Sequence, residues 1–218
     1  VKVVVFSAHP DDETLGVGGI LLRHIERGDE VYWALFTYRT PWMEEEMVSF
    51  RKGVVDKVKK MYPFSDVFIG DFPATTLSDI PEGKLISFTA EVISQVKPDI
   101  VYTVSPFDVH TDHEAVFTAV MVATKPPSRT EEVYVYEIPS STNWSPPFRS
   151  SGYMPQVYVD ITPYIDRKLE ILSLFEDQIF PYPHARSLDA VRAYAMMRGS
   201  SVGVAYAETL MPVRVIVR

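Results

Sequence analysis

The sequence predicts an α/β fold: a mostly parallel sheet with helices on both faces and a C-terminal β/α elaboration. Two observations carry this. Short, continuously apolar runs such as Val3-Val4-Val5-Phe6 alternate with longer amphipathic stretches, the pattern of strands buried on both faces and joined by crossover helices. After about residue 130 the alternation gives way to strand-like runs separated by a Ser- and Pro-rich stretch, which reads as an addition to the sheet.

Taken in order, residues 2–7 read as a buried strand and 15–27 as an amphipathic helix. A second strand covers 30–37, followed by helical periodicity with mixed charge over 41–61 and a short strand at 66–69. The helix over 83–96 stops at Lys97-Pro98, because a proline disfavours helical geometry in the residue before it. An apolar strand over 99–104 and a helix over 114–123 complete the alternating part. Beyond it, 133–138 and 156–161 read as strands flanking the loop 139–155. Thr162-Pro163 is a helix-start signature, with Thr as cap and Pro at the first helical position. It predicts a helix to about residue 179, then a second helix over 187–197 and a closing strand over 213–217. With no internal repeat, low-complexity tract or linker, residues 1–218 read as one domain.

The 46% hydrophobic and 23% charged composition is that of a globular protein able to bury a substantial core. A net charge of −8 argues against nucleic-acid partners, which need clustered Lys and Arg, and against anchoring on anionic lipid. No apolar run approaches the roughly 18 residues of a membrane span, and a cytoplasmic protein is expected. The chain has no cysteine, which excludes disulfides, thiolate nucleophiles and Cys-based zinc fingers. A transition metal would have to use His, Asp or Glu, a ligand choice that suits catalytic better than structural zinc.

The informative segment is Ser7-Ala8-His9-Pro10-Asp11-Asp12-Glu13, placed where the first strand ends. Open parallel sheets hold their ligand sites at that edge. Adjacent aspartates repel each other unless a cation lies beside them. Neighbouring side chains in an extended loop point different ways, so one aspartate can face a metal while the other faces a substrate. The second segment, His110-Thr111-Asp112-His113, follows the 99–104 strand and reaches the same edge. Three of the five histidines thus fall in two loops that can meet.

With Ala8-His9-Pro10-Asp11-Asp12-Glu13 after the first strand and His110-Thr111-Asp112-His113 about a hundred residues on, the chain resembles the PIG-L or LmbE-like de-N-acetylases. Pro139-Ser140-Ser141-Thr142-Asn143-Trp144, Tyr158-Val159-Asp160-Ile161, and Arg198-Gly199 followed by Tyr206-Ala207-Glu208 agree. The resemblance implies a Rossmann-like fold and zinc held by His9, Asp12 and His113, a ligand set that iron(II) or cobalt also fits. It implies Asp11 as general base, a protonated His110 as oxyanion partner, and Asp112 as the residue that orients His110 and keeps it cationic. Arg51, on the helix after the second strand, is the expected substrate contact. The implied substrate is an N-acetylglucosamine-type sugar conjugate, and relatives are often homo-oligomers.

A two-His, one-carboxylate zinc site leaves a position for water and lowers its pKa to about 7, which suits hydrolysis of an inert acetamide. Many relatives carry a Thr-x-Gly-acidic segment after the second strand, where this chain reads Thr37-Tyr38-Arg39-Thr40-Pro41-Trp42. Tyr38, Trp42 and Trp144 are candidates for stacking on a sugar ring, and His184 with Arg186 for contacts with ligand or with a neighbouring subunit. Arg198 and Glu208 read as structural. A nucleotide-binding domain is the competing class, suggested by Gly16-Val17-Gly18-Gly19. That spacing is not G-x-G-x-x-G, and the second strand lacks a terminal acid for a ribose. A non-catalytic metal- or sugar-binding relative is the third class, but it should have lost Asp11 or His110, and both are present.

Overall fold

The computed structural model describes residues 1–146 and 152–217. Its strands are β1 (Lys2–Ser7), β2 (Glu30–Arg39), β3 (Asp66–Pro73), β4 (Ile100–Val104), β5 (Glu132–Tyr136), β6 (Val157–Asp160) and β7 (Ala207–Val215). They form one sheet in the order β3-β2-β1-β4-β5-β7-β6. The first five strands are mutually parallel, and β7 runs antiparallel to both β5 and β6. The helices are α1 (Asp12–Glu26), α2 (Glu45–Met61), α3 (Glu82–Val96), α4 (Thr111–Thr124), α5 (Ile165–Leu172) and α6 (Leu188–Ser200).

The right-handed rule for parallel crossovers assigns α1 and α2 to one face and α3 and α4 to the other. The helix contacts agree: α3 packs on α4, and α1 packs on α5. Strand order reverses between β1 and β4, so the loops leaving these two strands flank the switch point, where open α/β sheets bind ligands. The core is built from the apolar runs themselves, with Val3, Val4, Val5, Phe6, Leu35, Phe36, Val101 and Val104 fully buried. Among the described residues no helix is long and apolar enough to cross a membrane.

The glycine run in α1 serves packing. A Cβ on Gly16 would lie 2.2 Å from the Tyr136 ring, and one on Gly19 would lie 2.6 Å from Ile161. The same helix breaks at Val17, whose φ of −135° is not helical. Backbone groups released near the break are taken up by a buried ion pair. Glu208 accepts the amides of Gly19 (2.9 Å) and Ile20 (2.8 Å), while Lys168 donates to the Leu15 carbonyl (2.8 Å) and to Glu208 (2.7 Å).

The C-terminal portion departs most from expectation. The last strand starts at Ala207 and is interior to the sheet. Its Pro212 lies beyond Leu210, where pairing with β6 ends, and beside an irregularity in the β5 register, positions that tolerate a missing amide donor. The helix expected from Thr162 begins at Ile165 and ends at Leu172; the Thr162 hydroxyl accepts the Tyr206 amide instead of capping it. Part of the Ser- and Pro-rich loop, residues 147–151, lies outside the described residues.

Candidate metal and catalytic site

β1 ends at Ser7, and the chain turns through His9 and Pro10 into the start of α1. Asp11 sits at the junction with φ of 126°, a conformation costly for a non-glycine residue and concentrated at functional sites. The Glu13 carboxyl accepts the Asp11 amide at 3.2 Å and a hydrogen bond from Thr14. Burial raises Glu13 to about 8. The Asp12 carboxylate accepts the His9 amide at 2.8 Å, folding the loop back on itself.

The second loop delivers His110 as the cap of α4 and His113 in its first turn. His113 Nδ1 lies 2.5 Å from Asp108 Oδ2, and Asp108 Oδ1 accepts the His110 amide at 2.8 Å. Asp108 was not singled out by sequence reading; its place five residues before a candidate ligand histidine was the available signal. The Asp112 carboxylate reaches across to His9 Nε2 at 2.9 Å and accepts the amides of Thr75 (2.6 Å) and Leu77 (3.0 Å) after β3. Burial opposes its charge, but His9 and these amides hold it below the usual carboxylate range.

His9 and His113 therefore share one arrangement, each with a carboxylate on one ring nitrogen, as histidines that bind metals commonly have. The remaining nitrogens turn toward Asp12: His9 Nδ1 lies 3.7 Å from Oδ2 and His113 Nε2 lies 3.5 Å from Oδ1. Both are longer than the roughly 2.7–2.9 Å of a charge-assisted hydrogen bond. Asp12 Oδ1 and His113 Nε2 are buried without any hydrogen-bond partner. Burial opposes charge on both residues, yet their attraction prevails: Asp12 is held well below its ordinary pKa, and His113, with Asp108 adding to the effect, rises to about 10. Ring nitrogens of His9, His110 and His113 also lie within 4.8 Å of one another. A three-histidine set is thus the geometric competitor to His9, Asp12 and His113.

Two expectations for this loop are corrected. The Asp112 side chain orients His9, not His110; its contribution to His110 is a backbone amide, 3.2 Å from Nδ1. Nor is His110 cationic. Burial, with the neighbouring His9 and His113, pushes it down to about 4, and it sits at the positive end of α4. A neutral imidazole that accepts a hydrogen bond at Nδ1 carries its proton on Nε2, so His110 is a neutral hydrogen-bond donor.

Asp11 lies beside this cluster, 1% exposed. Burial pushes its carboxyl up to about 6, with Arg186 pulling down and Asp12 pushing up. That is a workable value for a base acting near neutral pH. Arg51 points elsewhere: its Nε donates to Asp177 at 2.7 Å and its Nη1 to the Tyr38 carbonyl at 3.4 Å. Tyr38 is buried under Lys52, whereas Trp42 is exposed and Trp144, also exposed, meets the His184 ring edge-on. Arg198 pairs with Glu137 and, like Glu208, serves the architecture.

The chain is 28% identical over 164 residues to the uncharacterized deacetylase YaiS of Escherichia coli strain K12, covering 73% of this chain and 81% of that protein. It superposes on N,N'-diacetylchitobiose deacetylase of Pyrococcus horikoshii with a TM-score of 0.76 at 19% identity, over 98% of this chain and 84% of that one. GalB, the 4-carboxy-2-hydroxymuconate hydratase of Pseudomonas putida KT2440, superposes with a TM-score of 0.74 at 20% identity, over 100% and 98%. Likeness at these identities speaks to the fold, which serves more than one reaction. The family signature described as "PIG-L: GlcNAc-PI de-N-acetylase" matches residues 4–124, which include both motifs and every residue of the two clusters. This chain belongs to the PIG-L family.

Proposed function

We propose that the protein is a zinc-dependent hydrolase that removes the acetyl group from an N-acetylglucosamine-type sugar conjugate. The observation that carries this reading is the pair of buried, unpartnered atoms Asp12 Oδ1 and His113 Nε2, facing each other next to His9. A buried polar atom without a partner is costly, and a cation held by His9, Asp12 and His113 would remove that cost. These donors fit zinc, although iron(II) or cobalt suits them as well. His110 is the less suitable third ligand, because it lacks a carboxylate partner and its Nδ1 is already occupied.

Zinc held by His9, Asp12 and His113 would supply Lewis acidity toward the acetamide carbonyl and would acidify water. The chain's own groups do the rest. Asp11, ionised above about pH 6, takes the proton of the attacking water and later delivers it to the departing amine. His110 donates a hydrogen bond from Nε2 to the developing oxyanion. Asp112 and Asp108 hold the rings of His9 and His113. Arg51 is expected to act through Asp177, which it fixes, and not by touching the sugar directly.

The fold is shared with a hydratase, so the test must read the reaction itself. Amine release from a panel of N-acetylglucosamine conjugates is measured after chelation and after zinc is restored. Zinc-dependent release supports the reading; release that is indifferent to chelation, or absent from every conjugate, overturns it.

A further inference from the structure

We propose that Arg186 is the positioning residue for Asp11, holding one carboxylate oxygen so that the other faces the attacking water. This rests on Asp11 acting as the base. Arg186 is 175 residues from Asp11 in the chain and belongs to neither motif. Its Nη1 donates to Asp11 Oδ2 at 3.1 Å and to Gln178 Oε1 at 3.1 Å, and its Nε donates to Ser140 Oγ at 3.0 Å. The guanidinium is therefore held from two sides before it meets the carboxylate.

The supports themselves are anchored. Gln178 Nε2 donates to Asp177 Oδ2 at 3.0 Å, the same oxygen that accepts Arg51 Nε. Ser140 is fully buried with φ of 119°, so its hydroxyl is presented by a constrained turn. One polar chain thus runs from α2 through the segment after α5 to Asp11, and a second support comes from the loop after β5. Asp11 needs such support. Its backbone lies outside the conformations that ordinarily set a side chain's direction, and among its neighbours Asp12 repels it. A planar guanidinium can join Ser140, Gln178 and Asp11 in one arrangement, which a lysine ammonium cannot reproduce.

The test uses zinc-loaded Arg186→Ala, Arg186→Lys and Asp11→Asn with N,N'-diacetylchitobiose, following amine release, zinc content and thermal midpoint. Misplacing a reacting group by about 1 Å can cost about 10²-fold, so both Arg186 variants should lose kcat on that scale. KM should stay within about twofold, with zinc content unchanged. Added guanidinium at non-denaturing concentration should restore part of the kcat of Arg186→Ala and none of that of Asp11→Asn. A raised KM with unchanged kcat would make Arg186 a substrate contact, and a lowered midpoint without guanidinium rescue would make it structural; either overturns the proposal. So does full kcat in Arg186→Lys. If Asp11→Asn is inactive while Arg186→Ala keeps its kcat, the Arg186 proposal fails alone; full activity in Asp11→Asn brings down the catalytic reading beneath it.

Discussion

Two clusters of buried charge meet α1, and they differ in how completely they are satisfied. At the break in the helix, Lys168 and Glu208 bond to each other and to the backbone groups of Leu15, Gly19 and Ile20. At the start of the helix, Asp12 and His113 are just as buried, yet each leaves an atom without a partner. The first cluster completes a distorted helix. The second leaves Asp12 Oδ1 and His113 Nε2 unsatisfied, as the proposed metal would require. Burial alone does not separate architecture from function; the leftover donors and acceptors do.

That contrast can be tested by breaking each cluster. The largest effect is expected from His113→Ala, which should deplete the metal and abolish turnover. Zinc should raise the thermal midpoint of the parent protein but not of this variant, and metal analysis with thermal denaturation checks both. Asp11→Asn should retain zinc while kcat for amine release falls by about 10²–10⁴, the range for a lost general base. Lys168→Met should behave in the opposite way. Removing one partner from a buried pair typically costs about 3–5 kcal/mol, read from urea denaturation, while the variant that folds still binds zinc and still gains stability from it. A Lys168→Met variant as stable as its parent would erase the distinction drawn here.

His110→Ala should lower kcat by about 10²–10³, as for one oxyanion donor, with zinc content unchanged. Loss of zinc in that variant would instead favour the three-histidine set. The smallest effect concerns His24, which lies away from the site, between Asp29 and Tyr102. Burial lowers its pKa below the ordinary 6.5 despite Asp29, so the folded state favours the neutral ring. As pH falls below 6.5 the unfolded chain takes up this proton first, and stability should decline. Urea midpoints measured against pH should show a shallow slope there that His24→Gln removes.

Much of the site was legible because its residues cluster locally. His9, Asp11 and Asp12 share one turn, and His110, Asp112 and His113 share another, so a strand followed by a motif already placed both at one sheet edge. The partners were not legible in the same way. Asp112 is two residues from His110 but bonds to His9, because the start of α4 turns its carboxylate toward β1 and the amides after β3. Arg186 and Gln178 lie in an irregular segment with no periodicity to read. The Thr162-Pro163 signature misplaced a helix start; the Thr162 hydroxyl accepts the distant Tyr206 amide instead of capping one.

The sequence by itself determined the alternating strands and helices, the edge at which the two motifs meet, and the residue types with metal-ligand chemistry gathered there. Apolar periodicity and local spacing encode these directly. Only the tertiary structure decided which carboxylate serves which histidine, that His110 is neutral, and that Asp11 is gripped by an arginine from the far end of the chain. Hydrogen bonds and pKa values depend on separations of a few ångströms between groups distant in sequence, and those separations are set by how the loops pack across the sheet edge.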